Sequence, residues 1–122
     1  MSADYAHLRK FQKELNAGIV ALVLLATLAE AGEPQYGYQI AKRLEQDNQE
    51  NPVMKQGTLY PVLRSLSAAG LLDSYVEPSV SGPPRRYYTI TTAGRKALSQ
   101  WKDAWVSTRD FVDSIMQEIP HE

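Results

Sequence analysis

The most constraining feature of the chain is a helix-forming run followed at once by a strand, a loop and a second strand. Residues 56–72, QGTLYPVLRSLSAAGLL, place apolar residues along one helical side: Leu59, Val62, Leu63, Leu66 and Ala69. Strand-like segments follow at 71–77 and 85–91, and the loop between them holds three prolines and a glycine. This order predicts a mainly α (α+β) winged helix-turn-helix with a two-stranded wing.

Single residues predict where this helix begins and ends. Gly70 is a natural helix terminator because glycine adopts left-handed backbone angles. Pro61 is compatible with the first turn of a helix, where its missing N–H would have no partner, so we expect the helix to begin near Thr58. Its outward side then carries mostly polar residues: Gln56, Thr58, Tyr60, Pro61, Arg64 and Ser65.

Three helices are predicted before this run. Tyr5, Leu8, Phe11 and Leu15 form the apolar side of a first helix, which we expect to end around Asn16. A second helix contains the apolar run at 19–29 and ends around Gly32. A third helix extends from about Tyr38 to Gln46, and the polar segment 47–52 is predicted to be an exposed loop.

A long helix is predicted from Thr92 to about Ile119. Its apolar seam has spacings of three and four residues: Leu98, Trp101, Trp105, Thr108, Val112, Ile115 and Ile119. A heptad seam of this kind is typical of helices that pack against a partner helix. Residues 1–92 are therefore predicted to form a winged-helix domain that includes the first helix, and residues 93–122 a dimerisation helix whose simplest partner is a second copy.

Charge and composition restrict the class of protein. The net charge is −1, but residues 36–96 hold eight basic and five acidic residues, a local +3, whereas 97–122 carry −3. A local basic face can attract phosphates even on a neutral protein. The chain has no cysteine, and its longest apolar run, 19–29, is too short to span a bilayer. With no signal-peptide pattern, we expect a cytoplasmic protein without a membrane partner.

Three blocks of sequence resemble one family. YGYQIAKRLEQ at 36–46, QGTLYPVLRSLSAAGLL at 56–72 and PPRRYYTITTAGRKAL at 83–98 are similar to the PadR-type transcriptional regulators, in the order and spacing of that family. The resemblance implies a cytoplasmic winged-helix homodimer, usually a repressor, whose N- and C-terminal helices contact the partner. The dimerisation residues would be Leu8, Phe11, Leu98, Trp101, Trp105, Val112, Ile115 and Ile119.

Double-stranded DNA is the partner that this fold predicts. Two copies joined through the last helix would present their recognition helices to an inverted repeat with half-sites one turn apart. The candidate contact residues are Tyr38, Lys42, Lys55, Gln56, Thr58, Tyr60, Arg64, Arg85 and Arg86. Arg85 and Arg86 can neutralise phosphates or place a guanidinium in a minor groove, and the sequence does not separate these two roles.

Each of these residues also has a structural interpretation. Arg64 can be a solvated helix charge, Tyr60 can be a partly buried core aromatic, and the arginine pair can keep an edge strand soluble. Tyr87 and Tyr88 point to opposite faces of a strand, so one of them is expected in the core.

A small planar aromatic effector is a further possible partner. In some members of the resembling family a tryptophan eleven residues after the glycine of the TxxG segment lines a pore for planar aromatic compounds, and Gly94 and Trp105 match that spacing. The candidate ligand residues are Trp101, Trp105, Phe111 and Val112. Core packing is the competing interpretation, especially for Trp101.

An enzyme is not expected, and neither a cofactor nor a metal is predicted. The two histidines, His7 and His121, lie near opposite termini, and paired carboxylates such as Asp110 and Asp113 occupy solvated stretches. The alternative function is a winged-helix protein-interaction module without specific DNA binding. Such a module would tolerate the loss of Arg64 or Arg85, whereas a DNA-binding protein would not.

Overall fold

A computed structural model describes residues 3–47 and 56–120 of the chain. Helix α1 (Ala3–Ala31), strand β1 (Gln35–Tyr36) and helix α2 (Gly37–Asp47) are followed by helix α3 (Gln56–Ala68), strands β2 (Leu72–Glu77) and β3 (Arg85–Ile90), and helix α4 (Thr92–Met116). The winged helix-turn-helix predicted from the sequence is confirmed. The loop predicted at 47–52 falls largely, and His121 entirely, outside the described residues.

The first two predicted helices form one continuous helix. Helix α1 runs through Asn16, which is 5% exposed, so the break expected there is wrong. Asparagine in a helix interior costs less than about 1 kcal/mol relative to alanine, which is too little to interrupt a long helix. The helix ends at Ala31, before Gly32, whose φ of +68° stops it as expected.

The length of helix α1 changes the argument about membranes. An 18-residue window within Tyr5–Ala31 has a mean hydropathy of 1.6. The helix is therefore long and apolar enough to cross a bilayer, whereas the 11-residue run at 19–29 alone is too short. Its C-terminal half, however, is a core helix, because Val20, Leu24 and Leu28 are at most 2% exposed. Burial inside the fold accounts for these apolar residues.

The core lies where helices α1, α2 and α3 meet the sheet. Fully or almost fully buried side chains come from every layer: Val20, Leu24, Leu25, Leu28, Ile40, Ala41, Leu59, Leu63, Leu72 and Tyr88. Helix α3 begins at Gln56, two residues earlier than predicted, so Pro61 lies in its second turn. Proline there lacks the N–H that would bond to the Gly57 carbonyl, at the exposed side of the helix.

The sheet has three antiparallel strands in the order β1-β3-β2, one more than the predicted hairpin. Helix α3 reaches it through a Schellman turn, in which Gly70 has a φ of +79° and the Leu71 N–H donates to the Leu66 carbonyl at 3.0 Å. Tyr88 is 4% exposed and faces the core, whereas Tyr87 is half-buried on the opposite face. The expectation that one of these tyrosines is a core residue is confirmed.

Helix α4 starts from a tightly built junction. Thr91 caps it, since its Oγ1 accepts a hydrogen bond from the Gly94 N–H at 2.9 Å. The Thr91 N–H donates to the Leu71 carbonyl at 3.2 Å, and its hydroxyl lies 2.8 Å from the Gly70 carbonyl oxygen. Gly94 is buried against the Leu71 carbonyl, so the end of α3, the end of β3 and the start of α4 meet at one point.

We predict that Gly94→Ala destabilises the fold although alanine favours helices. A Cβ at this position would overlap the Leu71 carbonyl oxygen and lie 2.8 Å from Ile90 Cγ1, and neither neighbour is a flexible chain end. Overpacking of this kind typically lowers the free energy of unfolding by about 1–3 kcal/mol. Urea unfolding at one fixed protein concentration measures the change.

The matched control is Gly57→Ala, another helical glycine. A Cβ at Gly57 meets no atom within 4 Å, so this variant is expected to gain up to about 1 kcal/mol. If Gly94→Ala were as stable as the control, the close packing at the junction would be refuted.

Candidate nucleic-acid interface

Helix α3 divides cleanly between a buried and an exposed side. Leu59, Leu63 and Leu66 are at most 5% exposed, while Thr58, Pro61, Arg64 and Ser65 are exposed. Thr58 and Arg64 therefore stand on the outward side, as the sequence predicts. Gln56 is the first residue of the helix, and Lys55 lies outside the described residues.

Tyr60 is turned inward rather than outward. It is half-buried and packs against the core, and a Cβ added to Gly37 would lie 2.6 Å from its Cε1, so the ring occupies the space that glycine leaves at the start of α2. Burial, with smaller contributions from the neighbouring Tyr88, Tyr38 and Tyr36, raises the pKa of the Tyr60 phenol. The neutral hydroxyl thus persists at physiological pH, and the packing interpretation of Tyr60 agrees best with its position.

A cleft of about 490 Å³ joins the start of α2, helix α3 and the wing. Its lining includes four of the predicted contact residues: Tyr38, Tyr60, Arg85 and Arg86. The wing loop contributes Gly82, Pro83 and Pro84, and the two prolines restrict the backbone along one wall. Residues that are distant in sequence are thereby brought to one concave, aromatic and cationic surface.

A row of tyrosine rings crosses the outer face of the sheet beside this cleft. Tyr36 and Tyr75 both lie opposite Tyr87 in the strand register, so all three share one face. The centroids of Tyr36 and Tyr87 are 5.7 Å apart, and those of Tyr75 and Tyr87 are 5.4 Å apart with nearly parallel rings. The ring of Tyr38 continues the row at 6.3 Å from Tyr36. We call these four residues the tyrosine row.

Neither Tyr36 nor Tyr75 is among the site residues predicted from the sequence. A two-residue strand such as β1 leaves no periodic pattern in the sequence. The register between strands also cannot be read from one sequence, so the proximity of these tyrosines could not be predicted. Only the pairing of β1 with β3 brings Tyr36 next to Tyr87.

Cations lie over two rings of the tyrosine row. The guanidinium carbon of Arg85 is 4.7 Å from the centroid of Tyr36, within the range of a cation–π contact. Lys42, one helical turn after Tyr38 on α2, places its Nζ 5.8 Å from the centroid of that ring. Both lysine and tyrosine are exposed, so the predicted pair Tyr38 and Lys42 lies together on the surface of α2.

Arg85 and Arg86 point to opposite faces of the sheet because they are adjacent in strand β3. Arg86 donates from Nη1 to Ser74 Oγ at 3.1 Å, on the face that carries Tyr88. Arg85 lies on the face of the tyrosine row. The two arginines were treated as equivalent from the sequence, but they occupy different surroundings.

A second concave surface lies between helices α1 and α4. This groove, of about 520 Å³, is lined by Leu15, Gly18, Ile19, Ala21, Leu22, Trp101, Ala104, Trp105 and Thr108. Trp101 is half-buried against the core, whereas Trp105 is 39% exposed. Phe111 and Val112, predicted with them as ligand residues, lie further along α4 and do not line the groove.

The predicted dimerisation residues divide into two groups. Leu98 and Trp101 pack against the core of their own domain. The others are exposed apolar or aromatic side chains, between 39% and 58% exposed: Leu8, Phe11, Trp105, Val112, Ile115 and Ile119. All but Ile119 lie on the outer parts of α1 and α4, because α4 ends at Met116, three residues earlier than predicted. Phe111 and Met116 add to this surface at 66% and 57% exposure.

Within the described residues, no group of three His, Asp or Glu side chains is placed to hold a metal.

Comparisons with known proteins agree on one family. The sequence model described as "Transcriptional regulator PadR-like family" matches residues 24–100. The PadR family transcriptional regulator from Eggerthella lenta is 30% identical, with a TM-score of 0.79 over 96% of this chain and 98% of that chain. A transcriptional regulator from Clostridium thermocellum is also 30% identical, with a TM-score of 0.72 over 83% of this chain and 96% of that one.

A curated relative has a higher identity over a shorter segment. The transcriptional regulator Rv3488 of Mycobacterium tuberculosis is 52% identical over 44 residues, which make up 36% of this chain and 40% of that protein. The structural likenesses extend over nearly the whole chain and include both α1 and α4.

Proposed function

The chain belongs to the PadR-like family of transcriptional regulators, and from this premise we propose that it binds double-stranded DNA as a homodimer and represses transcription from an inverted-repeat operator. One observation carries the proposal: helix α3 buries its leucines and turns a polar, arginine-bearing side outward, beside a wing that supplies Arg85. A helix exposed in this way fits the major groove, and wing cations fit the flanking backbone.

The two parts of the chain then have separate roles. Residues 1–92 form the DNA-binding domain and residues 93–122 the dimerisation helix. Two copies joined through α1 and α4 would place their α3 helices about 34 Å apart, one turn of the duplex. With its C-terminal half in the core and its N-terminal half at the partner, α1 would be a helix of a cytoplasmic protein rather than a membrane span.

We assign the contacts by position. Gln56, Thr58 and Arg64 on α3 face base edges and phosphates, and Lys55 supports the helix entrance. Tyr38 and Lys42 contact the backbone beside the groove, and Arg85 and Arg86 contact it from the wing. The inward position of Tyr60 makes it a support for α2 rather than a base contact.

We predict that selection from randomised duplex DNA, at two salt concentrations, enriches an inverted repeat. Arg64→Ala then weakens binding to the selected duplex by about 5- to 150-fold and relaxes specificity at one position in each half-site, as expected for a lost base contact. Arg85→Ala weakens binding to all duplexes similarly. Titrations of both variants at several salt concentrations measure these losses of affinity.

The control variant is Lys102→Ala, which removes an exposed charge from α4, away from α3 and the wing. It is expected to bind as the wild type does. Failure of the wild type to retain any duplex, or binding that neither salt nor the two arginine substitutions weaken, would contradict DNA binding. The second outcome would favour the protein-interaction module instead, because an apolar interface responds weakly to charge.

The dimer is proposed from the exposed seam. Large apolar side chains recur at heptad positions on the outer half of α4, and the N-terminal half of α1 adds Leu8 and Phe11. A single copy leaves this surface in water, which is costly and unusual for a contiguous apolar patch. A second copy presents the same seam and covers it symmetrically.

We predict that Ile115→Glu converts the protein to a monomer. A buried, unpaired carboxylate is strongly disfavoured in an apolar interface, and in a symmetric dimer the change occurs twice. The wild type is expected to show twice the chain mass of 13.7 kDa in analytical ultracentrifugation. Ser107→Glu, on the same helix but off the seam, should remain a dimer, and an unchanged mass for Ile115→Glu would refute the seam.

A small planar aromatic effector is proposed for the groove between α1 and α4. The groove is lined mostly by apolar side chains, and Trp105 offers an exposed ring on which a planar molecule can stack. A ligand there can alter DNA affinity only by binding more tightly to one separation of the two α3 helices, a coupling of about 1–3 kcal/mol in typical cases.

We predict that 9-aminoacridine, as a planar probe, quenches the fluorescence of Trp105 in the Trp101→Phe variant. Trp105→Ala, checked by its mass to remain dimeric, should lose binding of the probe in a calorimetric titration, while Lys102→Ala retains it. Equal binding by Trp105→Ala and the wild type would rule out the groove as the effector site.

A further inference from the structure

We propose that Tyr36 is a positioning residue, which holds Arg85 against the tyrosine row so that its guanidinium contacts a phosphate of the DNA backbone. This inference rests on the proposed DNA binding. It concerns whether a wing arginine contacts a phosphate or enters the minor groove, which the sequence leaves open. The guanidinium carbon lies 4.7 Å from the centroid of the Tyr36 ring, the shortest of the cation–π distances in the described part of the chain.

The position of Arg85 is not the one that its strand pairing favours. Glu77 lies directly opposite Arg85 in the register of β2 and β3, where a cross-strand ion pair would be expected. Within the described residues, however, the Arg85 side chain forms no ion pair or hydrogen bond, and it lies over Tyr36 of β1, on the other side of its own strand. The ring therefore determines where this guanidinium lies.

A stacked guanidinium remains able to bind an anion. In the described part of the chain, none of the five N–H donors of Arg85 is used in a side-chain hydrogen bond, so they remain able to bind a phosphate bidentately. Arg86 differs, because its Nη1 already donates to Ser74 Oγ. Of the two wing arginines, Arg85 is the one with all of its donors available.

The tyrosine row makes Tyr36 a rigid support. The centroid of its ring lies 5.7 Å from that of Tyr87 and 6.3 Å from that of Tyr38. A ring packed between two others loses little further freedom when a cation lies over it. The preorganised arginine accordingly loses less side-chain entropy on binding than a free one.

Stacking also favours a phosphate over a minor groove. A minor-groove arginine must extend away from the wing tip, whereas Arg85 follows the wing loop and is drawn back toward β1 and the start of α2. It lies beside the cleft that the start of α2 and α3 line, where the backbone flanking the recognition helix would run. A phosphate contact there would be independent of the base sequence.

The test measures binding of a selected duplex at several salt concentrations for five single variants and one double variant. Tyr36→Leu keeps apolar bulk but removes the π face, and is expected to weaken binding by about 2- to 30-fold, the range of cation–π contacts. Tyr36→Phe keeps the face and should bind within about 2-fold of the wild type. Arg85→Ala should weaken binding at least as much as Tyr36→Leu and lower the salt slope by about one for each half-site, about two for the dimer.

The double variant separates positioning from a general structural effect. In the Arg85→Ala background, Tyr36→Leu should cause no further loss, because the residue acts through Arg85. Arg85→Lys keeps the charge but stacks and binds bidentately less well, so affinity should fall while the salt slope stays near the wild-type value. Tyr75→Leu, which removes a ring of the same row without a cation over it, is the control and should bind like the wild type.

Several outcomes would overturn the inference. One is that Tyr36→Leu binds like the wild type while Arg85→Ala binds weakly. Another is that Tyr36→Leu weakens binding just as much in the Arg85→Ala background. The third is a loss of affinity confined to duplexes with A·T-rich flanks, which would indicate a contact in the minor groove. All three leave the proposed DNA binding intact. Absence of wild-type binding to any duplex would instead defeat the proposed function, and the positioning role with it.

Discussion

The carbonyl group of Leu71 is the point on which the relative placement of the elements depends. It accepts the Thr91 N–H, and Gly94 packs against it closely enough to exclude any side chain. Leu71 itself follows the turn that ends α3, and Thr91 begins α4. The recognition helix and the long helix are thus tied together within a few residues, and a tilt of α4 relative to α3 would break these contacts. In a dimer joined through α4, the separation of the two α3 helices is therefore set by how the long helices cross.

The two long helices divide their apolar surface between two purposes. The C-terminal half of α1 fills the core with Val20, Leu24 and Leu28, and the start of α4 covers it with Leu98 and Trp101. The remaining halves expose large apolar side chains that their own domain does not cover. Folding and the proposed dimerisation thus use adjoining stretches of the same helices, and the groove at Trp105 lies where the two stretches meet. A ligand at that position would contact both the domain and the seam.

Most of the fold could be predicted from the sequence because its elements are long and strongly patterned. Helices α2 and α4, both wing strands and the terminator Gly70 were predicted close to their observed places, and the wing tyrosine in the core follows from strand alternation. The single helix α1 was missed because one asparagine was given more weight than its small energetic cost justifies. Strand β1 was missed because two residues carry no period. Of the candidate site, the outward placement of Thr58 and Arg64 was predictable, but the inward turn of Tyr60 and the tyrosine row depend on tertiary contacts.

Placement matters more than the amount of charge in this chain. Residues 36–96 carry a net charge of only +3, and the whole chain is slightly acidic, so long-range attraction to a duplex is weak. A protein with few cations gains most from each one if it is held where a phosphate will be, since the entropy of ordering it is lost before binding. Aromatic rings can provide that order without neutralising the charge, whereas a carboxylate partner such as Glu77 would provide order and cancel the charge together. Arg85 lies over the Tyr36 ring rather than beside the Glu77 carboxylate, so its charge is ordered without being neutralised.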